Sequence, residues 1–174
     1  MNRSDNADAA RMKDRVDLYR AQNPEADRWA KGYGVITHCL ETQARAFDMA
    51  ESLAARGIGG DGVPLFEVLH AADRVASAGM WLVVHETYAR RVHLDECVLT
   101  SEDFKADPEG HTGGSLNMVP AYTGYMAANA ITGHTRSWIM GQGHCVSAID
   151  SVNLLVDTHG QARGTSEQFK LRLT

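Results

Sequence analysis

Among the side chains of this sequence able to do chemistry, two histidines framed by glycine stand out: Gly110-His111-Thr112-Gly113-Gly114 and Gly141-Gln142-Gly143-His144. An imidazole donates or accepts a hydrogen bond and exchanges a proton near neutral pH. Glycine has no side chain to hold a ligand away from the backbone. Each segment opens a helical pattern, and the first N–H groups of a helix lack partners within it, so they suit an anion. Two such elements in one stretch point to a phosphate-bearing ligand and to proton transfer. Ser115 suits the N-cap of the helix after His111. Asn117 falls in the first turn of that helix, facing either the ligand or solvent.

Plainer readings exist for each element. His111 can be a capping histidine packed on Phe104 or Tyr122, and Gly141-Gln142-Gly143 can be a tight turn that only permits packing. The third glycine of a dinucleotide-binding fingerprint is absent after His144. Cys145 adjoins His144, but adjacency alone does not make a nucleophile–base pair. Gly59-Gly60-Asp61-Gly62 reads as a turn rather than a metal loop, because no strand precedes it. A hydrolytic metal site built from His111, His144 and His159 lacks a carboxylate at helical ligand spacing. No metal ligand is therefore assigned.

The elements that must position these residues are mostly helical. Residues 1–32 read as a polar arm, with a surface helix at 8–20 whose apolar stripe is thin. Leu40, Ala44, Phe47 and Leu53 recur at helical spacing within 37–56, and Gly57 suits the residue that ends that helix. Pro64 suits a first helical position. The longest pattern, 64–91, is either one central buried helix or two helices broken at Gly79. Its small residues would let a neighbouring helix come close. A short turn at Ser101-Glu102-Asp103-Phe104, a helix at 115–131, a buried strand at 136–140 and a helix at 145–156 complete the pattern. One strand cannot make a sheet, so 33–174 reads as part of a larger α/β domain whose parallel sheet is covered on both faces.

Composition narrows the classes. The 174 residues suit one domain with a real core. A net charge of −5 gives no reason to expect nucleic acid as a partner. No apolar run reaches the roughly 18 residues of a transmembrane helix, and the N-terminus lacks the apolar core of a signal peptide. Cys39, Cys97 and Cys145 are too scattered for a disulfide framework or a structural zinc site. A cytoplasmic setting is expected.

The stretch 71–155 resembles the thiamine-diphosphate-dependent ketolases, transketolase and especially phosphoketolase. The likeness is carried by Ala71-Ala72-Asp73, Glu102-Asp103-Phe104-Lys105, the Gly110-His111-Thr112-Gly113-Gly114 element, and Trp138-Ile139-Met140-Gly141-Gln142-Gly143-His144, in that order. The resemblance implies an α/β fold: the predominantly helical N-terminal portion of a doubly wound thiamine-diphosphate-binding domain, truncated. It implies an enzyme acting on xylulose 5-phosphate or a similar sugar phosphate, with active sites between two subunits of a homo-oligomer. By resemblance His111 and His144 are catalytic and, with Asn117, contact the substrate, while Gly113, Gly141 and Gly143 let the backbone approach the cofactor. The complete enzyme would use thiamine diphosphate and magnesium, held by a later Gly-Asp-Gly and a downstream Asn and activated by a Glu. No Gly-Asp-Gly follows His144 within the 174 residues and no pyrimidine-domain Glu is present, so this chain alone is expected not to bind the cofactor well or to turn over substrate. The expectation is a truncated product or one piece of a split enzyme. Thr112 stands where phosphoketolases have Trp, and Cys145-Val146 stand where they have Gly-Gly. At those places the chain looks more like the xylulose-5-phosphate 3-epimerase-like group. A non-catalytic assembly module that kept the scaffold is the remaining alternative.

Overall fold

Local signals in the sequence set some of the helix boundaries. The computed structural model describes residues 3–58, 64–90, 99–137, 139, 141 and 143–156. Among these lie six α-helices: α1 (Arg3–Gln22), α2 (Pro24–Ala30), α3 (Leu40–Ala55), α4 (Leu65–Tyr88), α5 (Thr112–Thr132) and α6 (Val146–Val156). Short 3-10 turns occupy Ser101–Asp103 and Gly143–Cys145. The chain is predominantly helical, as its periodicities imply.

The strand expected at 136–140 does not form among the described residues: Arg136, Ser137 and Ile139 are irregular, and Ile139 is 90% exposed. Trp138 and Met140 lie outside the described residues. A strand needs a partner for its N–H and C=O groups, and no strand elsewhere among the described residues offers one. The apolar run alone was too short to specify a strand. The turn at 59–63 and residues His93, Cys97 and His159 also lie outside the described residues.

The chain forms two compact units, Met1–Arg74 with Ala127–Thr135, and Val75–Met126 with Arg136–Thr174. In the first, Asn23 starts α2 by accepting a hydrogen bond from the Ala26 N–H at 3.1 Å, with Pro24 next in line. Proline fits there because its missing N–H would have had no helical partner. The helix expected at 8–20 is longer and more firmly held than its thin stripe suggests. Val16 is buried in one core with Ala26, Trp29, Ala30, Ala44, Phe47 and Phe66, and Tyr19 stacks on Phe47 at 4.2 Å. Met12 and Tyr19 pack against the same core as Val16, and fully burying a side chain such as Val16 is worth roughly 1.5–3 kcal/mol. Gly57 ends α3 with φ +65°, and Ile58 N–H bonds back to the Leu53 carbonyl, as expected of a glycine terminator. Pro64 sits one position earlier than expected: its carbonyl accepts from the N–H groups of Glu67 and Val68, so it precedes the first turn of α4.

In the second unit α4 runs unbroken through Gly79, and the alternative of two helices is set aside. The glycine is there for proximity. A Cβ at Gly79 would lie 3.0 Å from Val119 of α5 and 3.4 Å from Val152 of α6. Three helices therefore meet closely at this point, with Leu155 of α6 also within 4 Å of the same Cβ position. Gly79→Leu should overpack this junction and destabilise the protein by about 1–3 kcal/mol. Urea unfolding checks this, and unchanged stability would mean that the three helices are not packed so tightly.

Candidate functional site

The two expected histidines come together. His111 sits just before α5, and His144 lies in the 3-10 turn that leads into α6. Their ring centroids are 4.6 Å apart, with planes inclined by 57°. Both are exposed. Thirty-three residues separate them in sequence, so the juxtaposition is a product of packing in the second unit.

His111 is held by what precedes and follows it. Gly110 adopts φ +133°, a conformation that disfavours any side chain, and it packs over Thr87 of α4. Thr112 donates a hydrogen bond to the Tyr88 hydroxyl at 3.1 Å. The His111 carbonyl accepts from the Ser115 N–H at 3.0 Å, the first bond of α5. His111, not Ser115, thus occupies the position before the helix, which begins three residues earlier than the sequence suggests. Released from capping, the Ser115 hydroxyl is buried and accepts a 2.9 Å hydrogen bond from Ser147 of α6.

The glycines divide into two kinds. A Cβ on Gly114 would lie 2.8 Å from the Cys145 sulfur, closer than real side chains approach. Gly114 is required by packing, and it also lies about 4 Å from the His144 ring, measured from that same Cβ position. Gly113, Gly141 and Gly143 are exposed, face open space and have no positive φ. Their backbones are open to a ligand, and nothing in their own geometry demands glycine. Asn117 is exposed, and its side-chain amide donates to the Gly113 carbonyl at 3.0 Å, which leaves its oxygen free to accept.

Sequence reading missed a carboxylate in the same unit. Glu86 of α4 is half-buried and accepts a 3.3 Å hydrogen bond from the fully buried Ser151 of α6. Burial pushes its carboxyl above the ordinary range and Asp150 adds to this, while Ser151 and Lys105 oppose it. Lys105 also donates to the Glu86 carbonyl, and its N–H donates to the Tyr88 carbonyl, tying the 99–105 segment to the end of α4. Cys145 is buried, with its sulfur against Gly114.

The first unit holds a separate polar pair. His38 and Asp73 bond at 2.8 Å, with side chains only 9% and 11% exposed, and Trp29 stacks on His38 at 4.2 Å. Burial raises the Asp73 carboxyl, and the hydrogen bond from His38 opposes that rise. Gln43 donates to the His38 carbonyl at 2.9 Å. An aspartate and a histidine 35 residues apart give no spacing signal that would have revealed the pair. An open groove of about 490 Å³ between α1 and α3, lined by Arg11, Arg15 and Arg45 with Glu41 and Asp48, contains none of the expected site residues.

Among the described residues no group of three or more His, Cys, Asp or Glu side chains is arranged to hold a metal ion. No helix among them is long and apolar enough to cross a membrane. Comparison with protein-family models, characterised proteins and solved structures returns no match for this chain. The geometry of the second unit is therefore the basis for a functional reading.

Because its raised carboxyl favours the protonated form in the fold, Glu86 contributes most to stability at low pH and loses that contribution as pH rises. Glu86→Gln keeps an acceptor for Ser151 without the charge. Its stability relative to the parent should therefore increase as pH rises above the ordinary glutamate value of 4.5. Thermal unfolding of both proteins across that range tests this, and a difference independent of pH would show that Glu86 is not perturbed.

Proposed function

We propose that this chain forms the histidine-bearing part of a thiamine-diphosphate-dependent enzyme that acts on a ketose phosphate such as xylulose 5-phosphate. The reading combines the ordered motifs of 71–155 with one structural observation, the meeting of His111 and His144 at 4.6 Å beside exposed glycine backbone. On this reading the helical second unit is a portion of the doubly wound cofactor-binding domain.

The donor set suits an oxygen-rich anionic ligand. Two imidazoles can donate to, or take protons from, the hydroxyls and carbonyl of a sugar. The unpaired N–H groups at the start of α5 and the open backbone at Gly113, Gly141 and Gly143 favour a phosphate or diphosphate close by. Magnesium would be held by other residues, since the described ones offer no carboxylate cluster. Thiamine diphosphate, when bound, supplies the electron sink for breaking or rearranging bonds next to the ketone. His111 and His144 orient the substrate, stabilise charge that develops on its oxygens and relay protons. Asn117 offers its remaining amide oxygen to a substrate hydroxyl.

Two residues favour the epimerase-like variant over phosphoketolase. The Thr112 hydroxyl is engaged with Tyr88, where a phosphoketolase-like chain would carry a Trp. Cys145 fills the space against Gly114, where that family carries a glycine. Both positions adjoin the histidines, so they reshape the site rather than its periphery.

A second copy of the chain, or the remainder of a longer enzyme, would complete the site. On α4, Trp81, Val84 and Tyr88 recur at helical spacing and are 41%, 37% and 39% exposed. This apolar face ends at Tyr88, which touches the histidine loop through Thr112. Covering it would also shelter His111 and His144 from water.

In the complete enzyme, His144→Ala should lower turnover of xylulose 5-phosphate by roughly 10²–10⁴-fold with little change in unfolding temperature. Loss of folding in parallel with activity would make His144 structural. Product analysis separates the variants: an epimerised ketose phosphate, or acetyl phosphate with a shortened aldose phosphate. Neither product, with the cofactor, magnesium and inorganic phosphate supplied, would overturn the enzymatic reading and favour an assembly module.

A further inference from the structure

Building on that reading, we infer that Ser115 and Ser147 are positioning residues that set the mutual geometry of His111 and His144. Each serine lies one helical turn beyond one histidine: Ser115 four residues after His111, Ser147 three residues after His144. The Ser147 hydroxyl donates to the Ser115 hydroxyl at 2.9 Å. Ser115 is 1% exposed, and its N–H also donates to the His111 carbonyl at 3.0 Å. The two segments that carry the imidazoles are therefore cross-linked about one helical turn beyond them.

The cross-link does something the neighbouring apolar contact cannot. Gly114 against the Cys145 sulfur sets how near α5 and the 143–145 turn can come. Van der Waals contact is nondirectional, so it leaves freedom to slide or rotate about the contact. A hydrogen bond is directional and weakens steeply as its angle departs from linearity. The serine pair thus fixes the register of one turn against the other, and with it the separation of the two rings. Both histidines are exposed.

Neither hydroxyl needs to touch substrate for this role. A ligand that must meet both imidazoles at once, as a ketose phosphate would, depends on their separation. A displacement of about 1 Å in such a geometry can cost about 100-fold in rate.

The test has a structural arm and a kinetic arm. In the full chain, NMR cross-relaxation between the ring protons of His111 and His144 reports their proximity directly. The cross-peaks should be present in the parent, lost or strongly weakened in Ser147→Ala and Ser115→Ala, and retained in Ser147→Thr, which keeps the hydroxyl. Cross-peaks that persist in both alanine variants overturn the inference, whatever the protein's activity. In the complete enzyme, Ser147→Ala should lower kcat by roughly 10- to 100-fold with KM little changed, and Ser147→Thr should restore most of it. If the cross-peaks vanish as expected but the complete parent enzyme turns over no ketose phosphate, the positioning role stands and the functional reading fails. Should circular dichroism show that an alanine variant does not fold, Ser147→Cys, similar in size and a weaker donor, replaces it. Undiminished cross-peaks in that variant would equally overturn the inference.

Discussion

The arrangement of the second unit depends on how closely the first turn of α5 meets the turn that leads into α6. Gly114 permits that approach, and the Cys145 sulfur occupies the space a side chain would need. The approach brings His111 and His144 together and buries the Ser115 hydroxyl. Burial then obliges that hydroxyl to find a partner, because an unpaired buried polar group costs about 1–3 kcal/mol. Ser147 supplies it. Farther along the same helices, Gly79 performs a similar service against Val119 and Val152. Small residues at two levels thus hold α4, α5 and α6 at distances that larger side chains would forbid.

Among the described residues, the two carboxyls that burial raises, one in each unit, both have a partner. Glu86 has Ser151 and the nearby Lys105, and Asp73 has His38. Both carboxyls are still raised by burial, so the partners offset the desolvation only in part. The two sites differ in accessibility. The His38–Asp73 pair is closed under Trp29 and ties the segment before α3 to α4. Its side chains are largely enclosed, whereas the His111–His144 pair lies open.

How far the sequence foretold this depends on the range of the interaction. Gly57 at the end of α3 and the periodicity of α4 are local signals, and both appear where expected. The glycine-framed histidines were legible as candidates because their neighbours were unusual. Their proximity was not, since it rests on contacts between segments more than 30 residues apart. The same holds for the Ser115–Ser147 bond and for the Ser151–Glu86 bond, which spans 65 residues. The assignment of Ser115 as a cap failed because the helix starts three residues earlier, at a Thr-Gly-Gly run whose intrinsic helix propensity is poor. Tertiary contact overrode local preference there: Thr112 is anchored on Tyr88 and Gly114 on Cys145. The strand at 136–140 failed for a related reason, since a strand is specified by its neighbours as much as by its own side chains.

Exposure of the histidine pair bears directly on the proposed chemistry. In water two charges at such distances interact by only about 1 kcal/mol, and the interaction grows several-fold as the effective dielectric constant falls. Oriented imidazoles accelerate a reaction most when water is excluded from around them. On the proposed reading, a pair as open as His111 and His144 brings its two imidazoles together in an environment that mutes them. The apolar stripe of Trp81, Val84 and Tyr88 reaches the histidine loop through the Thr112–Tyr88 hydrogen bond, so on the proposed reading a surface docked on α4 would lie next to that loop. On the proposed reading, association and catalysis are then coupled by geometry. The same contact that removes exposed aromatic area from water lowers the dielectric around the two histidines, and the serine bridge keeps their spacing unchanged while that happens.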